Sequence, residues 1–496
     1  MLFSEVVVVS AAVTATRSRK AKVEALAGHL RALAPGEVEP VVAWLAGEPR
    51  QGRIGAGWRT LSGIEAAAAA QERLSVADVD EALAILATTA GPGSVRRRTD
   101  TLGALLSAAT ADEQAFLRRL LTGEIRQGAL EGIMVDAVAM AAGVPLEAVR
   151  RAFMLSGRLP ATAVAATSGG DQALAAIGLE VGRPVRPMLA SPGDSLDAAL
   201  AELGSDVVVE YKLDGARIQV HRDGDDVAVF TRSLREITGG VPELVAWARR
   251  LPARTVVLDG ESLALTDEGR PRPFQESVSL AGAGVQRPHV FDCLHLDGTD
   301  LIDRPLHERL DAVGAVAGAD RIPGLRRPGP TAAAEFLATA LEHGHEGVVV
   351  KALDSAYAAG RRGRAWQKVK PVHTFDLVVL GAEWGYGRRT GWLSNIHLGA
   401  LGQDGEPVMV GKTFKGMTDE VLAWQTATFP ALQSGSDGHV VLLRPELVVE
   451  IALDGVQRSV RYPGGIALRF ARVLRYRPDK TPAEADTLDT LRALLR

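Results

Sequence analysis

A multidomain fold is predicted, with an all-α N-terminal domain over residues 1–183, an α+β core over 184–372 and a small β-barrel over 373–496. Three observations carry it. Up to about residue 180 apolar residues recur at three- and four-residue spacing, with almost no period-two alternation. Beyond that point strand-like runs alternate with longer helical stretches, and after Pro371 short strands follow one another between Gly-rich turns. At 496 residues the chain is also too long for a single hydrophobic core.

In the first domain, Ser75 and Asp78 form a capping-box pair. Val76, Val79, Leu83 and Leu86 then share one face until Gly91-Pro92-Gly93 stops the helix. Thr110 with Glu113 repeats the signal, and Phe116, Leu117, Leu120 and Leu121 supply the stripe up to Gly123. Leu130, Met134 and Val138 mark a helix ending near Gly143, and Val149 and Phe153 begin another. Two basic clusters lie here: Arg17, Arg19, Lys20 and Lys22, and the run Arg96-Arg97-Arg98 at the start of the helix that follows the breaker. Arginines beside the amides of a helix start fit backbone phosphates without reading sequence. A solvated charged face explains either cluster equally well. Two clusters on a chain of net charge −4 favour DNA contact, with Arg96, Arg97 and Arg98 as the candidate residues.

Gly182 to Pro187 reads as a linker. Ile218 and Val220 then alternate with polar residues, Asp223-Gly224 offers a hairpin turn, and Val227 to Thr231 returns as a strand. Further strands are predicted at Val256 to Leu258, Val290 to Leu294 and Gly347 to Lys351, with helices at Pro242 to Arg250 and Thr331 to His343. The barrel opens with the strand Asp376-Leu377-Val378-Val379-Leu380.

The most informative stretch is Glu210-Tyr211-Lys212-Leu213-Asp214-Gly215-Ala216-Arg217, which ends the apolar run Val207-Val208-Val209. An amine at a strand end, with a cation five residues on, suits a nucleophile that attacks a phosphate. A β-hairpin with an Asp-Gly turn and a surface lysine explains the same residues. The pattern Lys-x-Asp-Gly-x-Arg resembles the nucleotidyl-lysine motif of the covalent nucleotidyltransferases, namely DNA ligases, RNA ligases and mRNA capping enzymes. Segments resembling that family's later motifs follow in its order: Thr231-Arg232-Ser233, Leu258-Asp259-Gly260-Glu261, Val290-Phe291-Asp292, Glu346-Gly347-Val348-Val349-Val350-Lys351, Trp366-Gln367-Lys368-Val369-Lys370 and Arg477-Pro478-Asp479-Lys480. Each alone is weak. In order, and across essentially the whole chain, they identify a member of the family.

The resemblance implies a nucleotidyltransferase (ATP-grasp-like ligase) core and a C-terminal OB-fold. It implies that Lys212 takes AMP from ATP as a phosphoramidate. Lysine suits this because its amine can lose its proton, whereas arginine stays charged. Glu210 and Phe291 are then expected at the adenine, by hydrogen bonding and stacking, and Glu261 near the ribose. Arg217, Arg232, Arg362, Lys368 and Lys370 would neutralise phosphates, Glu346 would carry Mg²⁺ or Mn²⁺, and Arg477, Asp479 and Lys480 would form a closing motif that swings over ATP. The helical domain resembles the DNA-binding domain of archaeal and eukaryotic replicative-type ATP-dependent DNA ligases, with Gly123-Glu124-Ile125-Arg126-Gln127-Gly128 echoing one of its segments. With Pro187-Met188-Leu189-Ala190 leading into the core, the resemblance is closest to actinobacterial B-type ligases. Leu213 departs from the tyrosine common after the lysine.

Composition sets the exclusions. The single cysteine, Cys293, rules out a disulfide framework and the four-cysteine zinc module of NAD-dependent ligases. It lies in an apolar run and reads as a buried bystander. The ten histidines show no HExxH and no metal spacing, and Val410-Gly411-Lys412-Thr413 fails as a P-loop because Glu406 stands where the first glycine is required. No apolar run is long enough to span a bilayer and no secretory signal is legible, so a cytoplasmic location is expected; the protein is also expected to be a monomer. The expected substrates are ATP and nicked duplex DNA, with replication or repair proteins as partners. The alternatives are an RNA ligase or capping-type enzyme, and an inactive nucleic-acid-binding relative.

Overall fold

The computed structural model describes residues 1–52, 54–125, 130–264, 286–359, 363–386 and 389–495. They divide into two units, one of Met1–Phe336 with Val349–Lys368 and one of Leu337–Val348 with Val369–Arg496.

The described residues before Ala175 form the helices α1 (Phe3–Ala15), α2 (Arg19–Ala32), α3 (Pro35–Leu45), α4 (Trp58–Ser62), α5 (Val76–Thr88), α6 (Ser94–Ala108), α7 (Ala111–Leu121), α8 (Leu130–Ala142), α9 (Leu146–Ser156) and α10 (Leu159–Ala175). They share one core in which Phe3 packs edge-on against Trp44 and Phe116. The predicted helix starts hold locally. Ser75 Oγ accepts from the Asp78 amide at 3.1 Å while Asp78 Oδ2 accepts from the Ser75 amide at 2.8 Å. At Thr110 only the return half forms, from the Thr110 amide to Glu113 Oε2 at 2.7 Å. Helix α6 begins at Ser94, so the arginine run occupies its first two turns. The three side chains differ in use. Arg97 donates to the carbonyls of Ala90 and Pro92, and Arg98 to that of Thr89, closing the end of α5. Arg96 stays 90% exposed, 3.8 Å from Asp100. In the other cluster, Arg19 is tied to Asp136 at 2.6 Å.

The strands that follow are β1 (Ser191–Pro192), β2 (Val207–Lys212), β3 (Ala216–Asp223), β4 (Asp226–Thr231), β5 (Thr255–Ala264), β6 (Gln286–Leu296), β7 (Thr299–Asp300), β8 (Gly324–Arg326), β9 (Gly347–Ala352) and β10 (Trp366–Val369). One five-stranded sheet runs β1-β10-β9-β2-β8 and a second runs β4-β3-β5-β6-β7. Lys212 ends β2 in the first sheet, and Arg217 is the second residue of β3 in the second. The Asp-Gly segment therefore crosses between sheets, and the hairpin explanation of this stretch fails. A side chain at Gly215 would collide with the Ser262 carbonyl oxygen, so glycine alone permits the crossing.

Strand β3 departs from the predicted alternation, because Gln219 and His221 are buried along with Ile218 and Val220. Their partner is the linker. Gly182 donates its amide to His221 Nδ1 at 3.0 Å, and Gln219 exchanges hydrogen bonds with the amide and carbonyl of Val185 at 2.7 and 3.1 Å. The stretch read as a linker is thus a fixed connector. Burial drives the His221 pKa down to about 3, and the accepted amide fixes its lone pair on Nδ1. Cys293 is fully buried, as expected of a bystander, and burial raises its pKa to about 12.

Behind β6, Arg309 and Asp292 pair at 2.8 Å, both wholly buried, and Arg309 also donates to the carbonyls of Arg304 and Ser355. Removing one member leaves the other charge buried without its partner. Arg309→Ala should therefore destabilise the core by about 3–5 kcal/mol, read as a lowered denaturant midpoint. A loss below about 1 kcal/mol would mean that water reaches Asp292.

The second unit carries β11 (His373–Trp384), β12 (Leu393–Leu401), β13 (Pro407–Thr413), β14 (Gln433–Asp437), β15 (Val440–Leu443), β16 (Val448–Leu453), β17 (Gly455–Arg458), β18 (Ile466–Arg469) and β19 (Arg472–Tyr476). Seven of these join one sheet, while β17 and β18 pair with each other. The long β11 bonds to β12, β15 and β16, with register shifts in its pairing with β12 that let one strand serve several partners, as a curled OB-type barrel requires. The sequence Val410-Gly411-Lys412-Thr413 lies within β13, so it is not a phosphate loop.

Candidate active site

Side chains two apart on a strand share a face. On β2 this aligns Glu210 with Lys212, and both line a cavity of about 430 Å³ in the first unit. Tyr211 packs its ring on Phe336, 4.6 Å away between centroids, and also contributes to the lining. Arg217, Arg232, Glu261, Phe291 and Lys368 line the same cavity. Two sheets thus bring residues of the quoted motifs between Lys212 and Lys368 to one cavity, and the closing motif is not among its lining residues.

Glu210 sits at its buried base, 1% exposed. Lys351 Nζ approaches its Oε2 at 2.5 Å, and among the described residues no hydrogen bond reaches Oε1. Burial raises the Glu210 pKa and the Lys351 charge opposes it. The Phe291 ring, on β6, lies 4.5 Å from Lys351 Nζ and 5.0 Å from the Arg217 guanidinium, and Trp366 stands edge-on to it. The aromatic wall is therefore ringed by positive charge, which suits a ligand with a flat ring and phosphates.

Arg217 is pinned by Asp259, with Nε to Oδ1 at 2.9 Å and Nη2 to Oδ2 at 2.5 Å. Its register partner on β5 is Glu261, whose pKa burial raises to about 7 against the pull of Arg217 and Lys212. Burial thus favours the neutral Glu261 carboxyl, and any added positive charge would favour its ionised form. Arg232 follows β4 in a tight turn, closed by the Leu234 amide on the Thr231 carbonyl, with Leu234 at φ 63°. That turn places an exposed arginine at the mouth of the cavity.

Other expected residues stand elsewhere. Arg362 and the Arg126-Gln127-Gly128 part of the helical segment lie outside the described residues. Lys370 belongs to the second unit, where it pairs with Asp454. So do Arg477, Asp479 and Lys480: Arg477 binds Asp479 at 2.6 Å and Asp376 at 3.0 Å, and Lys480 binds Asp376 at 2.7 Å. Glu346 immediately precedes β9. Among the described residues no group of three or more His, Cys, Asp or Glu side chains could hold a metal ion. A single carboxylate fits Mg²⁺ only if phosphates and water complete its shell, which is the usual arrangement for that ion with nucleotides. Sequence reasoning gave no role to Lys351, Trp366, Asp259 or Tyr357. The first three stand inside quoted motifs, so position alone could have nominated them, whereas Tyr357 carried no signal.

Comparison with known proteins bears on the whole chain. Residues 59–139 match the family described as DNA ligase N terminus, 187–370 the ATP dependent DNA ligase domain, and 389–480 the ATP dependent DNA ligase C terminal region. The chain is 66% identical to the Probable DNA ligase of Rhodococcus jostii (strain RHA1) over 501 residues, with 100% of each covered. It is 62% identical to that of Nocardia farcinica (strain IFM 10152) over 522 residues, again with 100% of each covered. In fold it matches the solved structure Pmar-Lig_PreS3 with a TM-score of 0.65 at 17% identity, covering 96% of this chain and 100% of that one. No helix among the described residues is long and apolar enough to cross a membrane. Matched along its full length at such identity, the chain belongs to the ATP-dependent DNA ligases.

Proposed function

We propose that this ligase seals nicks in duplex DNA through a Lys212–AMP intermediate formed in the β2 cavity. The observation that carries the reading is the pairing of Lys212 with Glu210 on one strand face, opening into an enclosure rimmed by Arg217, Arg232, Lys351 and Lys368. Glu210 Oε1 is a buried acceptor suited to the exocyclic amine of adenine, and Phe291 offers the stacking face. Glu261 faces Arg217 across the strands, where a ribose hydroxyl would meet both.

With the base held there, the Lys212 amine attacks the α-phosphorus. The nitrogen–phosphorus bond forms as the bond to the bridging oxygen breaks, pyrophosphate departs and the amine gives up its proton. The cations compensate charge that grows on the phosphate oxygens in the transition state. An oxygen of the DNA 5′-phosphate next attacks the AMP phosphorus and frees Lys212. The 3′-hydroxyl then attacks the 5′-phosphorus, the phosphodiester forms and AMP leaves. Mg²⁺, with Glu346 as the residue to hold it, would supply further charge neutralisation at the phosphates.

Residues 1–183 serve as the DNA clamp, 184–372 as the adenylation domain and 373–496 as the closing barrel. Within the arginine run the burden of phosphate contact falls on Arg96, since Arg97 and Arg98 are committed to carbonyls at the end of α5. One experiment tests the reading. Protein stripped of bound nucleotide is incubated with α-labelled ATP and Mg²⁺, and an acid-labile labelled band is expected. The band should vanish with EDTA and should not form from adenylate-labelled NAD⁺. Labelling from NAD⁺, or labelling that persists in EDTA, would refute it.

A further inference from the structure

We propose that Tyr357 is a positioning residue for the nucleotide, because its one hydroxyl holds Arg217 through Asp259 and holds the connector wall of the cavity through the Met188 amide. The inference rests on the reading of that cavity as the ATP site. Tyr357 is 2% exposed. Its hydroxyl donates to Asp259 Oδ2 at 2.6 Å and accepts from the Met188 amide at 2.9 Å, so both its donor and an acceptor position are engaged. Asp259, 1% exposed, spends its two oxygens on this phenol and on the fork of Arg217. The guanidinium plane is thereby set, and Arg217 lines the cavity with the Phe291 ring 5.0 Å from its carbon. Leu189 and Ala190, the residues that follow Met188, line the cavity directly.

Two otherwise separate parts of the enclosure therefore meet at one oxygen: the arginine of the nucleotidyl-lysine motif and the connector arriving from the helices. Two residues before Met188 the connector is also held by the helical region, with the Arg186 amide on the Met154 carbonyl at 2.9 Å and its side chain on Glu131 at 2.6 Å. Burial and the Asp259 charge raise the Tyr357 pKa well above its usual value, so the phenol remains a donor at any working pH. Phenylalanine would fill the same volume and lose these bonds together with the longer one that the hydroxyl accepts from Arg217 Nη2 at 3.5 Å.

In full-length protein freed of AMP by pyrophosphate, the rate of self-adenylation is followed against ATP concentration. Tyr357→Phe should raise half-saturating ATP about ten-fold, the size expected for loosening a bond to a charged group, with the maximal rate within about three-fold of the parent. Arg217→Lys, which cannot form the fork, should also raise half-saturation, and the double variant should show less than the product of the two effects. If Arg217→Lys shifts half-saturation and Tyr357→Phe does not, the inference is overturned while the ATP site stands. If neither shifts it, the placement of Arg217 at ATP falls as well. Fully multiplicative effects would reduce the hydroxyl to a part of the fold and also overturn it. Should Tyr357→Phe not accumulate as folded protein, Tyr357→Met, which also lacks the hydroxyl and has a flexible side chain that adapts to the space, takes its place with the same expectations.

Discussion

Lys212→Ala is expected to abolish both labelling by α-labelled ATP and ATP-dependent sealing, a loss of about 10⁴-fold or more, because the nitrogen proposed to accept AMP would be gone. Lys212→Arg should fail equally. Its charge is retained, but a guanidinium does not give up a proton at working pH and so offers no lone pair to phosphorus. The comparison separates two roles. If Lys212 merely neutralised phosphate, arginine would substitute and activity would return. The fold is not at stake, since the side chain is only part-buried at a strand end. Intact-mass analysis after incubation with ATP reads the result directly as one added AMP in the parent and none in either variant. Added AMP in Lys212→Ala would place the nucleophile elsewhere.

The helical region was legible because its signals are local. Capping residues, four-residue apolar spacing and glycine stops act within one or two turns, and α5 shows the predicted face of Val76, Val79, Leu83 and Leu86. The site was legible by a different route, the order of short motifs, each of them weak alone. What the sequence could not convey is which strands share a sheet. Lys212 and Arg217 are five residues apart and look like the two limbs of a hairpin, yet they belong to different sheets, and this separation opens the cavity between them.

Long-range polar pairing was equally hidden. Gln219 and His221 sit where a solvent face was expected, and they are buried because the connector at Gly182 and Val185 supplies their partners. Tyr357 binds Asp259, 98 residues away in sequence, and no local pattern announces such a bond. The arginine run gave the reverse lesson. Three adjacent cations look equivalent in a sequence, but helix geometry turns two of them back onto carbonyls and leaves Arg96 outward.

Lys480→Ala should slow self-adenylation by about 10²–10³-fold, the usual cost of losing one charged group that meets a developing negative charge. Sealing of a nick that already carries AMP on its 5′-phosphate should change by less than about three-fold, because no pyrophosphate leaves in that step. The asymmetry follows if the closing motif has the role that the family resemblance implies, orienting pyrophosphate as leaving group and then withdrawing. In this structure the motif's cations are engaged within their own unit, Lys480 with Asp376 at 2.7 Å and Arg477 with both Asp376 and Asp479. On the proposed role these cations would have to leave Asp376, in exchange for the opposing charge of the triphosphate. Lys480 is the better probe of the two, since its side chain is 30% exposed and Arg477 only 15%, so its removal disturbs the barrel less. Asp479→Ala should follow the same pattern if Asp479 acts with Lys480. Equal damage to adenylation and to sealing of pre-adenylated DNA would show that the motif serves the barrel's fold or its grip on DNA, and the assignment to pyrophosphate departure would have to be withdrawn.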